Sequence, residues 1–506
     1  MKTMVGVVAL VCGSFLFGES LMAQDAVGAT RDWRRSHERV LVESYMEMLT
    51  TPNITRDLPN LRRSADWLLN EMAKRDLHPR LLSVADAAPV VYGELLSPTA
   101  THTYVFYAHY DGQPVDPADW ATPPFEPTLM TGRADKGGKK ATLPTSGPVD
   151  PDWRIYARSA SDDRAAIFAM LSALDSLKSA RITPRANLKF FFEGEEESSS
   201  VHLREFLTAN TQLLGSDLWL MCNGPEHASR LQTVTFGARG SVGLDLTVYG
   251  PNHELHSGHY GNWAPNPAMM LAQLLASMKD GDGKVLIDGF YDGMVPLSAA
   301  EQQAIREIPN VDRELQQEFG LSRAEGGGKR LEELINLPSL NIRGMASGKV
   351  GALATNVVPA TATATLDLRL VPGLPPKQEA ERVIAHIQKQ GYYVTASEPD
   401  EAMRAAHPKI AKVVVGGWYE GVRTAMDLPA VQPAIKAMES VRRPVVLQPT
   451  LGGSVPLDVI QGTLSTHAIL IPLANFDNNQ HTANENVHIG HLWNAIDTFA
   501  ALFTMN

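Results

Sequence analysis

The sequence predicts an α/β fold interrupted by a smaller α+β unit. Three observations lead there. Apolar strand-like runs alternate with helical periodicity between residues 90 and 222. After Gly240 the order becomes strand–helix, then strand–helix–strand, which suits a small α+β unit. From about Thr424 the first texture resumes and runs to the C-terminus. No internal repeat or low-complexity tract interrupts it.

Taken in order, residues 1–23 read as a secretory signal peptide. Lys2 gives the positive start, residues 5–17 the apolar stretch and Ala23 a small residue for cleavage. Leu21, three before the cut, is a poor fit, so the cut site stays open and a retained anchor is the alternative. Residues 24–35 read as a loose polar leader. Residues 39–49 and 60–76 carry helical periodicity, with Asn60 as cap. Residues 90–95 and 103–108 read as strands, the second ending in His109-Tyr110-Asp111-Gly112. Residues 114–152, rich in Pro, Gly and Lys, read as a long surface loop whose DKGGKK run is a solvated tip. A helix is expected over 162–177, with Ile167, Met170, Leu171 and Leu174 on one face. Residues 188–192 form a buried strand that breaks at Gly194, followed by a helix over 201–210 and a strand over 218–222 ending at Asn223. The second unit reads as strand 242–249, helix 265–278, a glycine break at 326–328, strand 360–370, helix 378–390 and strand 392–396.

Composition narrows the function classes. Apolar content of 44% and charged content of 20% describe an ordinary globular protein with ample core. A net charge of −11 argues against nucleic-acid binding and gives no hint of affinity for anionic membranes. No stretch after the signal approaches the ~20 apolar residues of a membrane span. Of the two cysteines, Cys12 lies in the signal, so Cys222 has no internal disulfide partner. Stability must rely on the core, with bound metal as an optional addition.

The chemistry concentrates at KFFFEGEEESSS, residues 189–200. Three adjacent carboxylates leaving a buried strand repel one another and need a compensating cation; a solvated acidic turn is the bland alternative. Four pieces stand at strand ends: His109-x-Asp111, Asp162-Asp163, Glu196-Glu197 and His481. Alone, the first is a structural histidine and the second an N-cap pair. Together, this mixture of nitrogen and carboxylate donors suits zinc or a similar divalent ion.

With these strings the chain resembles the co-catalytic zinc metallopeptidases that include carnosinases, aminoacylases and carboxypeptidase G. The matching stretches are FYAHYDGQP, YARSASDD, FFEGEEESSS, LHSGHYGNWAPNP, LDLRLVPG, TLGGSVP and HTANENV, spread so that the resemblance spans nearly the whole mature chain. The resemblance implies a catalytic domain with a mixed sheet flanked by helices, in two parts at 24–239 and 424–506. Between them, residues 240–423 would form an α+β lid that dimerises. It implies two divalent metals, zinc above all. Asp162 would bridge them, His109 would bind one, and Glu197 with His481 the other. Asp111 would orient His109, and Glu196 would be the general base.

The chain departs from the family in Arg158-Ser159 and Asp163-Arg164-Ala165, where glycines and a lysine are usual. Asn223 stands where an acidic ligand for the metal of His109 is expected, which predicts a weaker site. His256 would reach the partner subunit's active site; capping its own turn is the alternative. Arg369 would clamp a substrate carboxylate, against a plain ion pair. Gly453 and Ser454 would offer donors to the same carboxylate, against a simple glycine turn.

The function so implied is hydrolysis of an amide bond in a dipeptide or short peptide with a free C-terminal carboxylate, by an exported (periplasmic or extracellular) homodimer. An N-acyl-amino-acid amidohydrolase is the first alternative, separable by comparing dipeptides with acetylated amino acids. A metal-poor binding relic is the second, separable by metal analysis. The histidine donors speak against a glycosidase using the Glu196/Glu197 region, since that chemistry needs two carboxyl groups flanking a sugar and no histidine ligands.

Overall fold

The computed structural model describes residues 9–505, with side chains from residue 25 onward. The side chains of the predicted signal, residues 1–23, lie outside the described residues. An eight-stranded mixed sheet is the larger layer. It begins with β1 (Arg80–Leu82), β2 (Val90–Leu95), β3 (Thr103–His109), β4 (Asn187–Glu193), β5 (Leu218–Met221) and β6 (Thr233–Thr235). The chain then builds a five-stranded sheet from β7 (Gly240–Tyr249), β8 (Ser339–Ala346), β9 (Thr361–Leu370), β10 (Tyr393–Thr395) and β11 (Ile410–Tyr419). It returns to the first sheet with β12 (Val446–Gln448) and β13 (Ala468–Leu470). The strand orders are β1-β2-β4-β3-β5-β13-β6-β12 and β8-β9-β7-β11-β10. The late strand β13 fills the gap between β5, its parallel neighbour, and β6, its antiparallel one.

Strand β4 shows why the aromatic run is continuous. Side chains alternate across a sheet. Phe190 and Phe192 enter one core, where Phe190 meets Phe503 edge-on, and Phe191 enters the opposite core beside Tyr107 and Trp219. Both faces are covered, so both sets must be apolar. Helices α1 (Ala9–Leu49), α2 (Leu58–Ala73) and α3 (Arg164–Ala180) contribute to the first of these cores. In the smaller sheet, Val242, Leu244, Leu246 and Val248 of β7 pack on α4 (Pro267–Ala276) and on α6 (Pro376–Lys389); between them in sequence comes the short helix α5 (Asp312–Glu318). The last helix, α7 (Ile489–Phe503), packs against α1 and α3.

Several expectations need correction. Residues 24–35 are not a loose leader but part of α1. Ala26, Val27 and Thr30 are buried, Thr30 Oγ1 lies 2.8 Å from Ser176 Oγ of α3, and Arg31 Nε donates to Asp497 of α7 at 2.7 Å. The polar residues of this stretch are there to meet polar groups on the neighbouring helices. The cap of α2 is Asp57, which accepts from Asn60 N, rather than Asn60 itself. α3 is buried nearly all round rather than on one face, because α1, α7 and the sheet enclose it. The long loop contains a strand, Thr128–Met130, paired with Arg154–Tyr156. The DKGGKK run within this loop is exposed apart from Gly138, as a solvated tip should be, with Lys136 3.7 Å from Glu318 of α5. Strands β8 and β11 were not foreseen. Both contain glycines and exposed positions, which erase the period-two signal.

Candidate active site

Strands β3 and β4 are parallel neighbours, and His109 pairs with Glu193 in register. The end of β3 and the turn after β4 therefore lie side by side. Asp111, fully buried, fastens them. Its Oδ1 accepts from Glu196 N (3.2 Å) and lies 3.3 Å from His109 Nδ1, while its Oδ2 accepts from Glu197 N (3.0 Å). The turn needs Gly194, since a Cβ there would overlap the Tyr110 ring and come within 2.9 Å of Ala88 Cβ. Glu195 turns away, taking Ala88 N at 3.3 Å and His202 Nδ1 at 2.9 Å. Two of the three glutamates remain to face the site.

Asp162 stands at its centre with its two oxygens divided. Oδ1 is 3.0 Å from His109 Nε2 and 3.3 Å from Asn223 Nδ2. Oδ2 is 3.0 Å from His481 Nε2 and 3.2 Å from Gln480 Nε2. Glu197 Oε2 lies 3.2 Å from His481 Nε2 and accepts from Gln113 Nε2 at 2.8 Å. Glu196 Oε2 is 4.0 Å from His109 Nε2. The donor atoms of His109, Asp162 and Glu197 all fall within 4.8 Å of one another.

The charge balance of this cluster fits a divalent cation. Burial pushes the Glu197 carboxyl up to about 7 and Glu196 well above the usual range, with the neighbouring carboxylates adding to both. Burial also raises Asp162, yet hydrogen bonds from His109 and His481 hold it well below the usual range. The hydrogen bond to Asp162 lifts His481 to about 9. For His109, burial opposes charge, but bonds to Asp111 and Asp162 leave its pKa well raised. The group thus balances its negative charge by keeping protons. A divalent cation held by the same nitrogen and oxygen atoms would replace them. His109 with Asn223 can serve one oxygen of Asp162, and Glu197 with His481 can serve the other.

Asp163 is not an N-cap by contact. It makes no side-chain cap bond, and its carboxyl, raised by burial, accepts from His109 N at 3.3 Å. Glu485, Gln113 and Gln480 escaped the sequence reading. Glu485 is fully buried and takes Asp162 N at 2.9 Å. The one available signal was its place four residues after His481.

The remaining sequence candidates are not joined to this cluster by any contact among the described residues. His256 is exposed, and its Nδ1 accepts from Gly258 N at 3.1 Å, so within this chain it caps its own turn. Arg369, on β9, does meet Ser454: Nη1 donates to Ser454 Oγ at 2.9 Å, and Nε to Asp367 at 2.9 Å. Gly453 beside it is exposed.

A mixed sheet with carboxylates and imidazoles gathered at its strand ends, arranged to hold a metal, defines a metal-dependent hydrolase. Comparison with known proteins agrees. The profile described as Peptidase family M20/M25/M40 matches residues 105–505, and the chain belongs to that family of metallopeptidases. It is 26% identical to a mouse (Mus musculus) Beta-Ala-His dipeptidase over 437 residues, 82% of this chain and 79% of the relative. It is 25% identical to the Cys-Gly metallodipeptidase DUG1 of Candida albicans, across 90% of this chain and 92% of that one. Among solved structures, an M20 family metallo-carboxypeptidase from Sulfolobus solfataricus superposes with a TM-score of 0.76 at 26% identity, over 92% of this chain and 98% of that one.

Proposed function

We propose that this metallopeptidase is an exported dipeptidase that cleaves short peptides with a free C-terminal carboxylate. The observation that carries the reading is the division of Asp162, whose two oxygens face two separate sets of donors. Divalent ions, zinc foremost, would be held by His109 and Asn223 on one side and by Glu197 and His481 on the other, with Asp162 shared. When bound, they lower the pKa of an attacking water and polarise the scissile carbonyl. Glu196, the glutamate not committed to His481, takes the proton from that water and passes it to the leaving amine. Asp111 keeps His109 oriented through Nδ1. Arg369 and Ser454, already in contact, receive the substrate carboxylate. His256 completes the site of a partner subunit, and residues 240–423 act as the lid that carries it. Relatives named as dipeptidases across most of their length support the substrate class. The N-terminal pattern of charge, apolar run and small residue supports export.

The test is digestion of a dipeptide panel, with free and amidated C-termini, and of N-acetyl amino acids, read by mass spectrometry in added Zn²⁺, Co²⁺ or Mn²⁺. Free dipeptides should be cleaved and amidated ones spared. Cleavage of acetylated amino acids alone would overturn the assignment.

A further inference from the structure

We propose that Glu485 sets the placement of Asp162 relative to His481, and through it the affinity and geometry of the metal centre; this rests on the metallopeptidase reading above. Glu485 is 0% exposed. Its Oε1 accepts from Ser161 N and Ser161 Oγ, both at 2.8 Å, and from Asp162 N at 2.9 Å. Its Oε2 accepts from Ser159 N and from Arg158 Nη1, both at 2.8 Å. Every partner is a donor. Arg158 reaches back through Nη2 to Thr482 O at 3.2 Å, next to His481, and its guanidinium lies over the Trp120 ring at 5.1 Å. Strand pairing of Asn486 with Tyr156 and a bond from Ala157 N to Glu485 O fix the same two segments.

One buried carboxylate therefore fastens the segment that ends in Asp162 to the segment that begins at His481. The two functional side chains meet across it, Asp162 Oδ2 to His481 Nε2 at 3.0 Å. Glu485 is a positioning residue, acting on the centre through backbone and hydroxyl donors. An amide cannot replace it. Whichever way a glutamine is turned, its NH₂ faces N–H donors, and a buried donor left unpaired is costly. Aspartate is one methylene short of the same donors.

The test compares unaltered protein with Glu485→Gln, Glu485→Asp and Ser161→Ala. Each is checked for fold by circular dichroism and by its melting temperature without metal. Each is then loaded with Co²⁺, and the dissociation constant is measured by chelator competition alongside the visible Co²⁺ spectrum. Glu485→Gln should weaken Co²⁺ binding about tenfold or more, the scale of other outer partners of metal ligands, and change the spectrum. Glu485→Asp and Ser161→Ala should move both readouts the same way by less. A folded Glu485→Gln with unaltered affinity and spectrum, and only a lower melting temperature, would overturn the proposal. Should that variant not fold, an unchanged Ser161→Ala overturns it instead. Failure of the unaltered protein to bind Co²⁺ overturns both this proposal and the metallopeptidase reading, and that control tells the cases apart.

Discussion

Glu196 and Glu197 are adjacent in sequence yet differ in surroundings. Glu197 meets His481 and Gln113, while Glu196 stands 4.0 Å from His109 with its side chain 13% exposed. Glu196→Gln keeps the size and removes proton acceptance. Turnover should fall at least ~10²-fold, with metal content unchanged by elemental analysis; near-normal turnover would refute the role. Asn223 presents an amide where a carboxylate would carry charge. Occupancy after dialysis should be nearer one metal than two per chain, and Asn223→Asp should tighten the second. Two ions retained by the unaltered protein would show that the missing charge is unimportant. At this scale the cluster was legible because histidines and carboxylates stood at strand ends in one order. Glu485 was not, because a carboxylate that works through backbone N–H groups leaves no spacing signature.

Single elements were legible where one period ruled them. β2, β3, β4 and β5 emerge from their apolar runs within a residue or so. β8 and β11 were lost to their glycines, and the start of α1 to its polar residues, whose partners lie far along the chain. The junction of the strand Asn486–His488 with α7 carries a titration of its own. Burial, helped by His491 and Arg154, depresses His488 to about 4. The unfolded chain binds that proton near the ordinary value of 6.5, while the folded chain does not until about 4. This contribution to stability is whole above pH 6.5 and is lost as pH falls toward 4. With its side chain 16% exposed, the discounted size is about 1–3 kcal/mol. Denaturant unfolding at pH 7 and 4.5 should show a smaller drop for His488→Gln than for the unaltered protein. Equal drops would exclude His488 as the source.

At the scale of the whole molecule, two sheets share one chain, and the larger is left and re-entered. The proposed reach of His256 into a partner makes a sharp expectation. Glu196→Gln and His256→Ala proteins, each inactive, should regain part of their activity when their subunits are exchanged. One site of the mixed dimer then has both groups. No recovery after verified exchange would leave His256 as the cap of its own turn. The insertion of β13 between β5 and β6 also governs when the molecule can form. At ~5–20 residues per second, the ribosome delivers β13 tens of seconds after β5. Until then the large sheet has a gap, and His481 has not yet been made. The nascent chain can neither close its main sheet nor pair Asp162 with His481 before synthesis is almost complete. Under the export proposed above, that delay would keep the chain threadable through a secretion channel and would make metal capture an event of the compartment where it finally folds.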